Sequence, residues 1–260
     1  MSNSIAYPLA FLHFVKCSIA KLICSRPVAV LITAITGNRI RYRGGIVVDT
    51  SDNHISGYLK CMLFWRMYEK AEVQSILKYV TSQYDVVELG SSIGVVGCIA
   101  GKVKGDRRML CVEINQDLIP IIERNLTLNR IGNYKIRIAA IGVGDEPLWF
   151  TPGMHSTHGQ VGSSHSEKSI KIETVPLSRL LEQEAIGDFV LICDIEGSEI
   201  DIVLNDPGSL RRCKLIVLEA HSVRRNDKVY SPMDIKQLIL NAGFVCVEER
   251  NVNFVFVRKS

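Results

Sequence analysis

A short glycine-containing loop is the first place in this sequence where residue types and spacing indicate ligand binding. It reads Glu88-Leu-Gly-Ser-Ser-Ile-Gly94, between an apolar run and an apolar helical pattern. Glycines at its ends let the chain turn sharply and bring backbone N–H groups to a ligand at a helix N-terminus. The spacing lacks the dinucleotide pattern G-x-G-x-x-G, which favours a ligand with an amino-acid carboxylate over a pyrophosphate. We therefore predict that Gly90, Ser91 and Gly94 bind a cofactor, and that the Glu88 charge faces its cationic groups.

A second acidic residue, Glu113, comes 25 residues after Glu88 at the end of another apolar run. A carboxylate at a strand end can accept hydrogen bonds from both hydroxyls of a ribose. The next residue, Ile114, would then lie beside an adenine ring. Neither feature is specific by itself, but together they predict a cofactor that contains a nucleoside.

Two further apolar runs end in groups that can move protons. One leads into Asp194-Ile-Glu196-Gly-Ser-Glu199, and the next leads into Glu219-Ala-His221. Ligands of open α/β sheets bind outside the carboxyl ends of the strands, so these residues are the candidates for catalysis. His221 can act as a base, while Asp194 and Glu196 can orient a hydroxyl or accept its proton.

These groups also have other interpretations. Asp194 and Glu199 can stabilise the start of a following helix, and His221 can be a loop residue without a chemical role. Asp194, Glu196, Glu219 and His221 could also hold one Mg²⁺ or Mn²⁺ ion. Spacing alone does not establish such a site, and we predict no metal.

Buried strands are needed to bring these groups to one edge of a sheet. From Tyr84 onward, short apolar runs alternate with helical patterns, which is typical of a parallel sheet with crossover helices. The nearly continuous apolar character indicates strands that are covered on both faces. The predicted strands are 85–89, 108–114, 135–141, 188–195 and 214–220.

The C-terminal part of the sequence predicts a capped helix followed by a hairpin. Ser231 and Pro232 open the helix, with Asp234 at the capping-box position, and the helix ends at Gly243. The tail FVCVEERNVNFVFVRK reads as two alternating strands around a polar turn. An antiparallel ending departs from NAD-binding Rossmann domains, which commonly end in parallel strands.

From about Tyr68 to the C-terminus, the chain resembles the FkbM-type family of S-adenosylmethionine-dependent methyltransferases. The most specific part is D-x-E-G-x-E after the fourth strand. In chain order the matching segments are YEKAEVQSILKYV with DVVELGSSIG, CVEINQDLIPIIERNLTLN, and TVPLSRLL with DFVLICDIEGSEIDIV.

The resemblance implies an α/β fold of the class I methyltransferase type: a Rossmann-like seven-stranded sheet, mostly parallel, with an antiparallel last strand. It implies S-adenosyl-L-methionine as the cofactor and a hydroxyl of a sugar, a glycan or another small molecule as the acceptor. Adenine would contact backbone groups near Ala140, with Asp145 a displaced alternative, and His221 would take the hydroxyl proton. The residues expected to bind the cofactor are Glu88, Gly90, Gly94, Glu113 and Asp194.

Two stretches lie outside this pattern. Residues 1–60 are expected to form an N-terminal extension, helical and then short β, before a cofactor-binding domain at 61–260. Within it, residues 5–36 are apolar but interrupted by basic residues, so helices packed on the domain are expected, and an interfacial membrane helix is the alternative. The polar insertion at about 143–173 suits either a loop over the substrate or a surface hairpin. Its histidines match no zinc pattern.

Composition restricts the partners and the compartment. The net charge is only +4 and the basic pairs are scattered, so we expect no nucleic-acid partner. Eight cysteines form no C-x-x-C pair, which favours a reducing compartment and hence the cytoplasm, with membrane association as the alternative. Two other functions stay open at this point: a nicotinamide-dependent oxidoreductase, and a non-catalytic protein that keeps the fold and the cofactor.

Overall fold

The computed structural model describes residues 23–142, 148–152, 159–162, 169–225 and 227–259. Eight α-helices lie within these residues, and they are α1 (Arg26–Thr36), α2 (Gly57–Phe64), α3 (Lys70–Tyr79), α4 (Val95–Lys104), α5 (Ile119–Leu128), α6 (Leu177–Gln183), α7 (Glu199–Asn205) and α8 (Pro232–Asn241). The strands are β1 (Arg39–Arg41), β2 (Val47–Asp49), β3 (Asp85–Leu89), β4 (Met109–Glu113), β5 (Tyr134–Ile138), β6 (Ala140–Ile141), β7 (Leu148–Pro152), β8 (Gly159–Gly162), β9 (Ile170–Ile172), β10 (Thr174–Val175), β11 (Phe189–Cys193), β12 (Cys213–Glu219), β13 (Val223–Arg225), β14 (Lys228–Tyr230), β15 (Phe244–Arg250) and β16 (Asn253–Arg258).

The central sheet has seven strands in the order β15-β16-β12-β11-β3-β4-β5. The run from β12 to β5 is parallel, whereas β16 is antiparallel to both of its neighbours. This arrangement confirms the predicted fold class, including the closing hairpin. The carboxyl ends of β3, β4, β11 and β12 therefore meet at one edge, where the candidate site residues follow.

Helices cover both faces of the sheet, which explains the continuous apolar runs. Every residue of β3, β4 and β11 is buried. One face packs against α3, α4 and α5, with Val86 among the strand residues, and the other packs against α6, α7 and α8, with Val87. Successive residues of a strand point to opposite faces, so both need an apolar layer.

Residues 135–141 were predicted to form one strand, and the structure divides them between β5 and β6. β5 ends at Ile138, opposite Glu113, which is the last residue of β4. Beyond that point one more hydrogen bond, from the Ala139 N–H to the Glu113 carbonyl at 3.3 Å, joins the chain to β4. Ala140 and Ile141 pair instead with β10 in a separate parallel ladder. The break turns this segment toward the edge at which the strands end.

The polar insertion contains a small sheet in the order β8-β7-β9. Phe150 of β7 is buried and packs with Ala140 and Ile172. The sequence predicted a long polar loop or a surface hairpin, and the described part is a three-stranded antiparallel sheet that packs inward. The expectations for His155, His158 and His165 fall outside the described residues.

The described part of the N-terminal extension shares the main core. Ile32 of α1 and Ile40 of β1 belong to the same buried cluster as Val86. Asn125 of α5 and Asn129, the residue that follows this helix, accept hydrogen bonds from the backbone of β2 at 2.8 Å each. Most of the stretch at 5–36 lies outside the described residues, and no helix within them is long and apolar enough to cross a membrane.

At the other end of the chain, the helix predicted after Ser231 forms with the expected start. The Ser231 hydroxyl accepts a hydrogen bond from the Asp234 backbone, and the Asp234 carboxylate accepts one from the Ser231 backbone. This capping box satisfies donors that the first turn of a helix leaves without partners.

Candidate cofactor and acceptor site

A cavity of about 550 Å³ opens at the edge where the strands end. The loop after β3 and the ends of β4 and β11 line one side, and α2 and the start of α3 line the other. Phe150, from the small sheet, also lines it. The strand ends of the central sheet, two helices and the small inserted sheet thus line one cavity.

The glycine loop requires glycine at both of its ends. Gly90 has a φ of 86°, and a Cβ there would lie 1.9 Å from the carbonyl oxygen of Asp194. Gly94 has a φ of 78° and is the N-cap of α4, and a Cβ there would lie 3.1 Å from Ile122. Side chains rarely adopt this backbone region, so the glycines allow the close approach of the loop to its neighbours.

Glu113 lies in the cavity wall with both carboxylate oxygens held in place. Oε2 accepts a hydrogen bond from the Ser92 N–H at 2.7 Å, and Oε1 accepts one from the Asn115 N–H at 2.8 Å. Burial raises the pKa of the carboxyl group, while the backbone donors partly oppose that effect. Each carboxylate oxygen can accept a further hydrogen bond, so the group can receive two ligand hydroxyls from a fixed position.

An apolar slot lies beside Glu113 in the cavity wall. Ile114, Ala139, Ala140 and Phe150 line it, and Ala139 and Ala140 are buried. The slot brings together Ile114 and Ala140, the two positions that were expected beside an adenine. Asp145, the displaced alternative, lies outside the described residues.

The structure differs from the expectation for Glu88. This residue is 1% exposed and does not belong to the cavity lining. It shares a sheet face with Val86, which packs against the helices on that side, so its carboxylate points under the loop, where Oε2 accepts a hydrogen bond from the Ser91 hydroxyl at 2.9 Å. Burial raises the pKa of Glu88 to about 7. Glu88 therefore supports the glycine loop from the side of the sheet, and the Ser91 hydroxyl points toward Glu88.

Histidine 221 is surrounded by carboxylates at the ends of β11 and β12. Its Nδ1 lies 2.9 Å from Oε1 of Glu199, which is 2% exposed. Its Nε2 lies 3.8 Å from Asp194, 3.6 Å from Glu196 and 3.9 Å from Glu219. The hydrogen bond to Glu199 raises the pKa of His221 to about 9, and burial raises that of Asp194 to about 8.

Asp194 and Glu196 line the cavity, and His221 stands directly behind them. The expected catalytic residues are thus brought together beside the cavity. Three residues in the wall, Glu69, Ser92 and Glu196, have positive φ values although they are not glycine. Such conformations cost free energy and concentrate at functional sites.

Sequence reasoning missed Tyr68, Glu69 and Glu72. All three line the cavity, and the Tyr68 hydroxyl donates a hydrogen bond to Ser92 at 3.2 Å. Glu72 is 4% exposed, and burial holds its pKa well above the ordinary value. Glu69 has its pKa raised to about 7 by burial. The signal was present as two glutamates at the start of a helical pattern, where Glu69 is the N-cap of α3 and Glu72 lies in its first turn.

A family model described as the methyltransferase FkbM domain matches residues 92–246. No curated protein matches the chain.

Several solved structures have a similar arrangement at low identity. One is the ribosomal protein L11 methylase of Lactobacillus delbrueckii subsp. bulgaricus, at 12% identity and a TM-score of 0.44, covering 75% of this chain and 80% of that one. Another is the precorrin-6y C5,15-methyltransferase of Geobacter metallireducens, at 13% identity and a TM-score of 0.43, covering 75% and 89%. A third is a SAM-dependent methyltransferase of Aquifex aeolicus, at 10% identity and a TM-score of 0.39, covering 73% and 90%.

Proposed function

The chain belongs to the FkbM methyltransferase family, and from that premise we propose that it transfers the methyl group of S-adenosylmethionine to a hydroxyl of a sugar, a glycan or another hydroxylated metabolite. It is an S-adenosylmethionine-dependent methyltransferase, which removes the nicotinamide-dependent alternative. The observation that carries the proposed acceptor is the group of Asp194, Glu196 and His221 at one end of the cavity. A hydroxyl must lose a proton when it attacks a methyl group, and this group can accept one.

The cofactor would occupy the part of the cavity between the glycine loop and the apolar slot. Glu113 would accept hydrogen bonds from the ribose hydroxyls, and the adenine would lie between Ile114 and Ala140. Gly90 and Gly94 would bring the loop backbone close to the methionine end. The fixed positions of the Glu113 oxygens support this placement, because a preorganised acceptor loses little freedom on binding.

Glu72 replaces Glu88 as the residue proposed for the cofactor ammonium. It lines the cavity, it is nearly fully buried, and no described residue donates a hydrogen bond to its carboxylate within the part of the chain that the structure covers. A buried carboxylate without a partner is costly unless a cation accompanies it. Asp194, at the end of β11, would lie between the methionine end and the acceptor.

For methyl transfer, the acceptor oxygen has to be aligned with the methyl carbon. Asp194 and Glu196 would orient the hydroxyl, and His221 would take the proton at Nε2 when its ring is neutral, a state that its raised pKa makes the major one only in alkaline solution. Glu199 supports that assignment because its carboxylate accepts the hydrogen on Nδ1 and so selects the tautomer with a free Nε2. Chemistry of this kind depends mainly on positioning, since the sulfonium already activates the methyl group.

Calorimetry on the purified full chain tests the cofactor assignment. S-adenosylmethionine and its demethylated product should both bind to the wild type and to Glu123→Gln, a control at an exposed position of α5. Glu113→Ala should bind both at least about tenfold more weakly, because it loses the ribose acceptor. If neither ligand binds to the wild type, the proposal fails at its first step.

Methyl-labelled cofactor tests the acceptor. A panel of sugars, phenols, lipids and amines is incubated with the enzyme, and products are identified by mass spectrometry. We expect base-stable methyl ethers, with a much lower rate for His221→Ala and unchanged cofactor binding. Labelled amines or thiols in place of ethers would refute the hydroxyl assignment. Tight cofactor binding without any product would favour the non-catalytic alternative.

A further inference from the structure

Three carboxylates from separate segments converge on one imidazole nitrogen. Asp194, Glu196 and Glu219 lie 3.6 to 3.9 Å from Nε2 of His221. These separations are too long for hydrogen bonds. One ion between them would draw these atoms closer, because ligands about 2.1 Å from a metal lie about 3 Å apart when adjacent and only one ligand can lie opposite Nε2.

A second set of atoms shares Asp194. Carboxylate oxygens of Glu69, Asp194 and Glu219 all lie within 4.8 Å of one another. Glu69 comes from the start of α3, Asp194 from the end of β11 and Glu219 from the end of β12. The start of α3 therefore brings a further carboxylate close to those of Asp194 and Glu219.

Two carboxylates near His221, one on the partly exposed Asp194 and one on the buried Glu199, have buried oxygens without described partners. Oδ1 of Asp194, the atom nearest Nε2, is buried and has no hydrogen bond within the described residues. Glu199 is only 2% exposed. Its Oε1 forms the hydrogen bond with His221, and its Oε2 has no partner among the described residues. Unpartnered buried oxygens of this kind require an explanation such as a bound ion.

Glu199 also gives the imidazole the orientation that a metal ligand needs. A histidine that binds a metal through one ring nitrogen almost always donates its other N–H to a carboxylate or a carbonyl. In this structure Nδ1 meets Glu199 at 2.9 Å, and Nε2 is left to face the three carboxylates. Glu199 and His221 thus have the arrangement in which a carboxylate orients a histidine that binds a metal ion.

The charge around the cluster is unbalanced. Within the described residues, His221 is the only cationic side chain whose nitrogen lies within 4.0 Å of Asp194, Glu196, Glu199 or Glu219. Mutual repulsion contributes to the raised pKa values of Glu69 and Asp194. The ammonium and sulfonium of a bound cofactor would offset part of this charge, but its own carboxylate cancels one of them.

We propose that Asp194, Glu219 and His221 bind one divalent cation of the Mn²⁺ or Mg²⁺ type at the acceptor end of the cavity, with Glu69 as a further carboxylate near Asp194 and Glu219. Carboxylate oxygens with one imidazole suit Mn²⁺ well and accept Mg²⁺. With the ion on Nε2, His221 is a ligand and no longer the base. The ion would then coordinate the acceptor hydroxyl and orient its oxygen, and the proton would go to Glu196, which is not one of the proposed ligands. This last role rests on the proposed function, whereas ion binding itself does not.

Mn²⁺ alone is the probe for the site. Full-length protein is freed of metal with a chelator, and binding is measured from the loss of the free-ion electron paramagnetic resonance signal, without cofactor or acceptor. We expect one ion per chain in the wild type and in Glu123→Gln. Glu219→Gln and Asp194→Asn should each bind Mn²⁺ at least about tenfold more weakly. Circular dichroism confirms that each variant is folded.

The outcomes separate the two proposals. No uptake by the wild type at millimolar Mn²⁺ overturns the metal site, and so does uptake that Glu219→Gln and Asp194→Asn leave unchanged. Calorimetry of S-adenosylmethionine on the same metal-free protein reports on the cofactor assignment independently. If Asp194→Asn does not fold, Glu219→Gln still decides the question, because Glu219 is partly exposed at a strand end.

Discussion

Replacing Glu88 by glutamine tests whether this acid holds the loop or the cofactor. Its carboxylate is buried beneath the loop, accepts a hydrogen bond from Ser91 and lies outside the cavity lining. Glutamine has nearly the same shape and keeps an acceptor for the Ser91 hydroxyl, but it cannot ionise. The substitution therefore removes one titration and leaves the packing of the loop nearly intact.

The magnitude follows from the pKa of Glu88, which burial raises from 4.5 to about 7. The folded protein holds this proton more tightly than the unfolded chain, so stability falls as pH rises between these two values. Above pH ~7 the ionised, buried carboxylate costs about 3 kcal/mol relative to a group with an ordinary pKa. The glutamine amide would lack a partner at the position of Oε1, which offsets about 1 kcal/mol. We expect Glu88→Gln to raise the free energy of unfolding by about 2 kcal/mol above pH ~8.

Urea denaturation and thermal melting across the pH range measure this effect. The melting temperature of Glu88→Gln should exceed that of the wild type by roughly 4–8 °C above pH ~8. The difference should shrink as pH falls toward the unfolded pKa, and Glu123→Gln should show none. An equal or lower stability of Glu88→Gln in alkaline solution would refute the reasoning. A large loss of S-adenosylmethionine affinity in this folded variant would restore a direct cofactor role for Glu88.

Three further substitutions test the local structure by urea denaturation of the purified protein. Gly90→Ala should cost at least about 3 kcal/mol, because its Cβ would meet the Asp194 carbonyl in a strained backbone region; equal stability would contradict the loop geometry. Lys104→Met should cost about 3 kcal/mol, since the fully buried ammonium donates to three backbone carbonyls, and a stabilised variant would show that these bonds contribute nothing. Ser231→Ala should cost about 1 kcal/mol by removing the capping box with Asp234, and no loss would mean that the cap is not formed in solution.

Much of the fold could be predicted because the strands are buried on both faces. β3, β11 and β12 are continuous apolar runs, and their bounds match the sequence pattern within one or two residues. The break between β5 and β6 could not be predicted, because both halves are apolar and β-rich. Its cause is the end of β4 at Glu113, which is a property of a neighbouring strand.

The site was predictable only where it is local in sequence. Gly90, Gly94 and Glu113 are found by glycine spacing and by distance along the chain, and the structure places the loop and Glu113 around one cavity. The direction of the Glu88 side chain was misjudged, although strand alternation puts it on the same face as Val86, where α4 lies. A loop sequence shows that a ligand can approach but leaves open which neighbouring acid reaches it.

The proposed acceptor end of the cavity is assembled from distant parts of the chain. Its chemistry is therefore harder to predict from the sequence than that of the glycine loop. Glu69 begins one helix, Asp194 and Glu219 end two strands, and Glu199 supports His221 from a third element. No spacing rule links such positions, so each acid looks like an ordinary helix start or strand end. Their role becomes visible only in the fold, where Asp194 and Glu219 lie within 4.0 Å of the His221 ring and, among the described residues, within that distance of no other cationic side chain. A sequence change at any one of these segments would alter the charge and shape offered to the acceptor while leaving the cofactor loop untouched. If this end of the cavity binds the acceptor as proposed, acceptor specificity can diverge within the fold while the binding of the methyl donor persists.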